Sequence, residues 1–223
     1  MNYTFQFGVV ADHWHELLMG AWLTIRLSTM AMVLGLAVGV AGAYAKTSRI
    51  LPLRWLVNVY VEVIRNTPFL IQLFIIYFSL PGLGIRLDPN EAALLAMVIN
   101  LGAYAVEIVR AGIEAIPRGQ VEAARALALT RFQVFRFVVA APAISIVYPA
   151  LASQFIILLL ASSLVSAISA VDLTAVTNSL QSTTFRSFEF YFVTTGIYLT
   201  LAMSFRFVLA AIYRFGFRWV RAQ

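Results

Sequence analysis

Six polar, uncharged side chains stand inside stretches that are otherwise apolar: Asn66 and Thr67 just before Pro68, Asn100, Gln154, and the pair Ser162 and Ser163. Amides and hydroxyls of this kind donate and accept hydrogen bonds without carrying charge. They can therefore hold a polar solute in passing, or tie one apolar helix to another. Both readings are open on the residues alone. A second constellation is the polar stretch from Glu107 to Pro142, EIVRAGIEAIPRGQVEAARALALTRFQVFRFVVAAP, which holds Arg110, Arg118, Arg125, Arg131 and Arg136. So many cations between two apolar runs suit the docking of a partner at one surface of a membrane.

Bond-making chemistry has little to work with. There are no cysteines, which excludes disulfides, thiolate metal sites and thiol catalysis. The two histidines, His13 and His15, are two residues apart in the lead-in segment, away from any carboxylate cluster at membrane depth. No nucleotide-binding Gly-Lys motif is present. Catalytic and metal-binding residues are thus not expected.

The elements that must position these groups follow from composition. With 61% of residues hydrophobic and 12% charged, the chain has more apolar side chains than one core can hide. The net charge of +6 does not argue for nucleic acid, because the cations flank apolar runs and form no basic face. Runs of spanning length predict an all-α integral membrane protein with five spans: about 17–45, 55–80, 91–109, 142–168 and 188–213. Residues 1–16 read either as an interfacial helix or as a poorly ordered terminus. No cleavable signal is expected in them, since the first nine lack a cation and Asp12 precedes the apolar run. In span one, Arg26 is expected to snorkel from near the first end. Gly35, Gly39 and Gly42 offer a face of small residues for close packing. In span two, Glu62 and Arg65 are three apart and are expected to pair. Pro68 removes a backbone donor and disfavours helix at Thr67, so the span should kink or open there.

Charge fixes an expected topology. Lys46, Arg49, Arg54, the five loop arginines and Arg214, Arg218 and Arg221 make eleven cations on one side; Arg86 and Arg186 alone stand on the other. The positive-inside rule then places the N-terminus outside and the loop (about 110–141) and C-terminus in the cytoplasm. Within the loop, Pro117 suits the opening of a short helix, and QVEAARALAL has strong helix propensity. Thr130-Arg131-Phe132-Gln133 fits a capping box that starts a new helix back toward the membrane. Exposed alanines let such a helix sit deep in a protein groove, with Glu122 and Arg125 as orienting charges.

The run Arg118-Gly119-Gln120-Val121-Glu122-Ala123-Ala124-Arg125-Ala126-Leu127, with Arg136 and Pro142 after it, closely resembles the EAA loop of ABC importer permeases, and within them the polar amino-acid uptake subfamily. Ile64 to Leu73 resembles that subfamily's second-span signature. Glu107 to Ile113, Gln154-Phe155-Ile156 and Ser163-Leu164-Val165 match further motifs in the same order. The resemblance implies one permease domain over residues 1–223 with the type I importer fold, in a bacterial inner membrane. Its implied partners are a dimer of ABC ATPases that bind ATP and Mg, a second permease subunit (a copy or a paralogue), and an extracytoplasmic amino-acid-binding protein. This chain itself would hold no cofactor. It implies ATPase coupling through Arg118, Gly119, Glu122, Ala123, Ala124, Arg125 and Ala128. The sequence departs from the pattern at Ala128, where glycine is usual and a positive backbone dihedral would be easier, so the turn is expected to differ. It also has Ala141-Pro142 for Leu-Pro. Relatives that move cationic amino acids tend to carry acidic residues in span four. Leu159 to Leu164 has none, which points to a neutral or acidic amino acid. The competing class is a secondary transporter driven by an ion gradient, but neither an internal repeat nor a buried coupling carboxylate supports it.

Overall fold

A computed structural model describes residues 3–48 and 50–216; Arg49, Arg218 and Arg221, which enter the charge argument, lie outside the described residues. The described residues form helices and turns without a strand. Four helical stretches are long and apolar enough to cross a membrane. They are α2 (Trp14–Lys46), α5 (Pro89–Glu114), a continuous path from Arg131 to Ile168, and α10 (Ser187–Gly216). The path from Arg131 comprises α7 (Arg131–Gln133), a π-helical stretch Val134–Ala140, α8 (Ala141–Ala161) and a 3-10 turn Ser162–Ile168.

The fifth crossing is broken. Helix α3 (Leu51–Arg65) and helix α4 (Phe69–Ser79) meet at an angle of 110°. The expected kink is thus a full break. Pro68 takes an extended ψ of 138° and starts α4 instead of continuing α3. At 1.5 Å per residue neither piece reaches across a core of about 30 Å. That the pair nonetheless carries the chain across follows from the packing of α2 on α5. A Cβ added at Gly35, Gly39 or Gly42 would lie 2.8, 2.3 or 2.5 Å from Leu101, Ala105 and Val106 respectively. The two series rise together, so α2 and α5 run parallel, and the chain between them must return to its starting side. The glycine face is therefore what lets two spans touch at backbone distance, with Ala31, Ala96 and Met97 in the core alongside.

Several boundaries differ from expectation. Helix α5 begins two residues early, at a capping box of Asp88 and Glu91, and runs on to Glu114, so Glu107 and Arg110 are helical. Helix α8's path begins at Arg131, well before Pro142. The stretch between the fourth and fifth expected spans, where a polar segment and no helix was expected, contains α9 (Leu173–Thr184), whose first turn is capped by Asp172 accepting from the Ala175 N–H. The lead-in folds as a short α1 (Gly8–Asp12), preceded by residues that clasp the start of α10: the Gln6 N–H donates to Glu189 Oε1 at 2.9 Å, and the Tyr3 hydroxyl donates to its Oε2.

Candidate functional site

The loop helix, α6 (Arg118–Ala126), is preceded by Pro117 in extended geometry, as its missing donor and fixed φ allow. Its end is a complete Schellman motif. The Leu129 N–H donates to the Ala124 carbonyl at 3.3 Å and the Ala128 N–H to the Arg125 carbonyl at 2.9 Å. Ala128 has φ of 57°, so alanine adopts the left-handed turn usually given to glycine, and the turn keeps its ordinary form against the expected difference. The conformation costs about 1 kcal/mol. Arg118, Gly119, Glu122, Ala123 and Arg125 are exposed, while Ala124 is buried against the rest of the chain. No atom comes within 4 Å of a Cβ built at Gly119, so nothing in this chain demands glycine there.

Below the helix, the capping box forms as the sequence implies. The Gln133 N–H donates to Thr130 Oγ1 at 3.3 Å, and the Thr130 N–H donates to Gln133 Oε1 at 2.8 Å. The π-helical stretch then leads into Pro142, whose ring would crowd the Val138 carbonyl in a regular helix. An ion network that the sequence reading missed fastens the loop's other root. Lys46 Nζ is 2.5 Å from Glu107 Oε1, Arg110 reaches Glu107 Oε2 at 2.9 Å, and Arg110 also reaches Glu114 at 2.5 Å. It joins the end of α2 to α5 immediately before the loop. The expected Glu62–Arg65 pair does not form. The Asn66 amide donates to the Glu62 carbonyl and carboxylate, at 2.8 and 3.0 Å, and the Arg65 guanidinium lies over the Tyr104 ring. Each side chain thus has another partner: Glu62 is taken by Asn66 and Arg65 by Tyr104.

At membrane depth, the break frees carbonyls that need donors. Gln72 supplies them. Its Nε2 donates to the Ile64 carbonyl at 2.7 Å, the Thr67 carbonyl at 3.0 Å and Thr67 Oγ1 at 2.9 Å. Its Oε1 accepts from Asn100 Nδ2 at 2.9 Å, which ties the break to α5. Thr67 in turn donates to the Val63 carbonyl at 2.7 Å. Gln72 lay within the quoted second-span motif but was not among the candidates. The signal for it was a lone amide in the apolar run Phe69 to Tyr77. The remaining candidates do not join this cluster. Ser162 and Ser163 donate locally to the carbonyls of Leu159 and Leu160, at 2.7 and 2.8 Å, where the helix tightens to 3-10. Gln154 is half-buried on α8. Arg26 is exposed on α2 and borders a cavity of about 310 Å³ with Asp88, Asn90 and Glu91. Arg206, on the span-five helix and not singled out from the sequence, borders a cavity of about 620 Å³ between α8 and α10 with Ser153.

Opposite the α6 end, Asp172 is fully buried and accepts from the Tyr198 hydroxyl at 2.9 Å. Burial pushes its carboxyl above the ordinary carboxylate range, although the Ala175 N–H and Tyr198 hydroxyl pull the other way.

Comparison with known proteins gives concordant matches. Residues 25–218 match the family described as binding-protein-dependent transport system inner membrane component. The probable glutamine ABC transporter permease protein GlnM of Bacillus subtilis (strain 168) is 34% identical over 195 residues, which is 87% of this chain and 90% of that protein. The L-cystine transport system permease protein TcyB of the same organism is 38% identical over 165 residues, covering 74% and 70%. Among solved structures, a crystal structure of an amino acid ABC transporter with histidines superposes with a TM-score of 0.89 at 36% identity, covering 95% of this chain and 99% of that one.

Proposed function

The chain belongs to the family of binding-protein-dependent transport system inner membrane components, as an amino-acid ABC importer permease and not an enzyme; from that premise we propose that it moves neutral polar amino acids into the cytoplasm, coupled to ATP hydrolysis through α6. The observation that carries the coupling reading is the short α6 itself. It is held at both roots, by the capping box at one and the Lys46–Glu107–Arg110 network at the other, while Arg118, Gly119, Glu122, Ala123 and Arg125 face outward. Ala124 seats the helix and Ala128 closes it. Closure of an ATPase dimer on ATP would push α6 and swing the spans as rigid bodies, a two-state switch that nucleotide and loaded binding protein must both bias.

The chain would form half of the pathway beside a second permease subunit, in a bacterial cytoplasmic membrane, with its N-terminus outside and α6 in the cytoplasm. An extracytoplasmic binding protein would deliver the substrate. The substrate reading rests on an uncharged polar cluster, Thr67 and Asn100 bonded to Gln72, with Asn66 beside it on the Glu62 side of the break and Gln154, Ser162 and Ser163 among the polar groups of the α8 path. Glutamine and cystine, named for two relatives, are compatible with such groups. Competitive uptake by the complex reconstituted in vesicles tests it. Glutamine should compete strongly and lysine weakly; equal or stronger competition by lysine or arginine would defeat the substrate reading, and uptake without ATP hydrolysis would defeat the coupling.

A further inference from the structure

Between α6 and the foot of the α8 path lies a cavity of about 670 Å³, whose lining shares only Arg125 with the coupling residues. Two arginines border it, Arg125 from the helix and Arg131 from the first turn after the capping box. No acidic side chain lines it, and neither arginine forms an ion pair among the described residues. The rest of the wall is apolar: Val134, Phe135 and Val139 rise in order along the π-helical stretch, with Val121 and Leu129 facing them from the α6 side. Val134, Phe135 and Val139 belong to the helical path that continues to Val147 in the spanning core.

We propose that this cavity holds an anionic phospholipid, its phosphate between Arg125 and Arg131 and an acyl chain along Val134, Phe135 and Val139. Charge complementarity decides the headgroup: a zwitterionic lipid would bring a trimethylammonium group to a site with two unpaired guanidiniums and no carboxylate. Depth decides for a lipid over a soluble phosphate, since only a lipid has a chain to place on the apolar wall. The exposed Phe132, Phe135 and Phe137 flank the foot as an interfacial aromatic girdle would. The π-helical stretch supplies the opening, because a wider turn spreads the side chains of one face. A lipid seated here would brace α6 against the membrane and make the coupling geometry depend on anionic lipid content. The proposal rests on the membrane orientation given above but not on ATPase docking.

The test uses the full-length chain in nanodiscs of mixed phosphatidylcholine and phosphatidylglycerol, with retained lipid counted by native mass spectrometry. The wild-type protein should retain phosphatidylglycerol in preference to phosphatidylcholine. The Arg125→Gln/Arg131→Gln variant should lose that preference by roughly thirtyfold, counting two cations at an anionic surface. Val139→Trp, which fills the apolar end and keeps both charges, should also lose it. Retention of both lipids alike by the wild-type protein would overturn the proposal, and that arm needs no variant. So would displacement by inorganic phosphate, which would make this a free-anion site. Unchanged lipid retention in the double variant, together with lost ATPase co-purification, would assign the cavity to a protein interface and overturn it as well. Glu122→Lys should keep the lipid, which separates failure of the docking reading from failure of this one.

Discussion

The foot of the loop and the break in the second span are both polar structures in an apolar chain, yet they are built in opposite ways. At the end of α6 and the turn after it, the capping contacts are local. Thr130 and Gln133 cap within one turn, and the Ala128 and Leu129 N–H groups close the helix on the carbonyls of Arg125 and Ala124. At the break, the donors are drawn together from Gln72 on α4 and Asn100 on α5, residues 28 apart. Water can satisfy a surface polar group that its neighbours neglect, whereas at membrane depth each freed carbonyl must find a protein donor. The foot is therefore free to face a partner; the break must be satisfied from within.

The sharpest way to test that contrast is to reverse a charge at the foot. Glu122→Lys touches no internal contact, so membrane insertion and thermal stability should match the wild-type protein. An interfacial charge reversal should weaken ATPase association by roughly 3 kcal/mol, more than a hundredfold. Co-purification with the ATPase and uptake in vesicles check it; normal values for both would remove the basis for coupling through α6.

The opposite pattern is expected at the break. Gln72→Leu leaves the Ile64 and Thr67 carbonyls and the Asn100 amide without their partner. Stability should fall by about 2 kcal/mol, given the modest net worth of hydrogen bonds in membranes and the cost of orphaned groups. ATPase co-purification should persist. Thermal unfolding in detergent measures the first and pull-down the second. Asn100→Leu, which orphans one acceptor in place of three groups, should lose less.

This contrast also explains what could be read from the chain. The capping box, the short loop helix and the small-residue face of α2 are patterns of neighbouring residues, and each is present as expected. Pro68 announced a disturbance, but not its 110° size, because the bent form is held by Gln72 bonding back to Ile64 and Thr67 and by Asn100 on a different span. The Glu62–Arg65 pair looked sound at helical spacing, but Asn66 bonds Glu62 and the Tyr104 ring from α5 meets Arg65 instead. Lys46 and Glu107 sit 61 residues apart, so nothing in their spacing marked them as partners. Helix α9 was missed for another reason: its serines and threonines read as connector, and they became helical by packing Leu173 and Val176 against α2 at Gly20.

Ala128 gives a smaller and more local perturbation. Its left-handed φ of 57° favours glycine, and no partner across the structure is involved. Ala128→Gly should therefore relieve about 1 kcal/mol of native strain, partly offset by the greater freedom of glycine in the unfolded chain. Equilibrium unfolding should show a small gain in stability, with ATPase affinity unchanged if the turn already has its working shape. A loss of stability would mean that the left-handed turn costs alanine nothing here.

Asp172 falls between the two regions, since its carboxylate caps α9 locally through Ala175 and reaches Tyr198 across the structure. Because burial raises its pKa in the folded state, folding favours the protonated acid. The contribution is present in full below the unfolded-state value and is lost as pH rises through the folded one. Asp172→Asn keeps a good helix cap and removes the titration. The wild-type protein should thus lose stability relative to Asp172→Asn as pH rises from the ordinary carboxylate range through the raised value of the folded state. Thermal unfolding of both proteins across that range measures the difference. If the gap instead widens in favour of the wild-type protein, the Ala175 and Tyr198 hydrogen bonds outweigh desolvation. The remote Tyr198 contact would then stabilise the charged form, and Asp172 would resemble the break, where polar groups are met from a distant element.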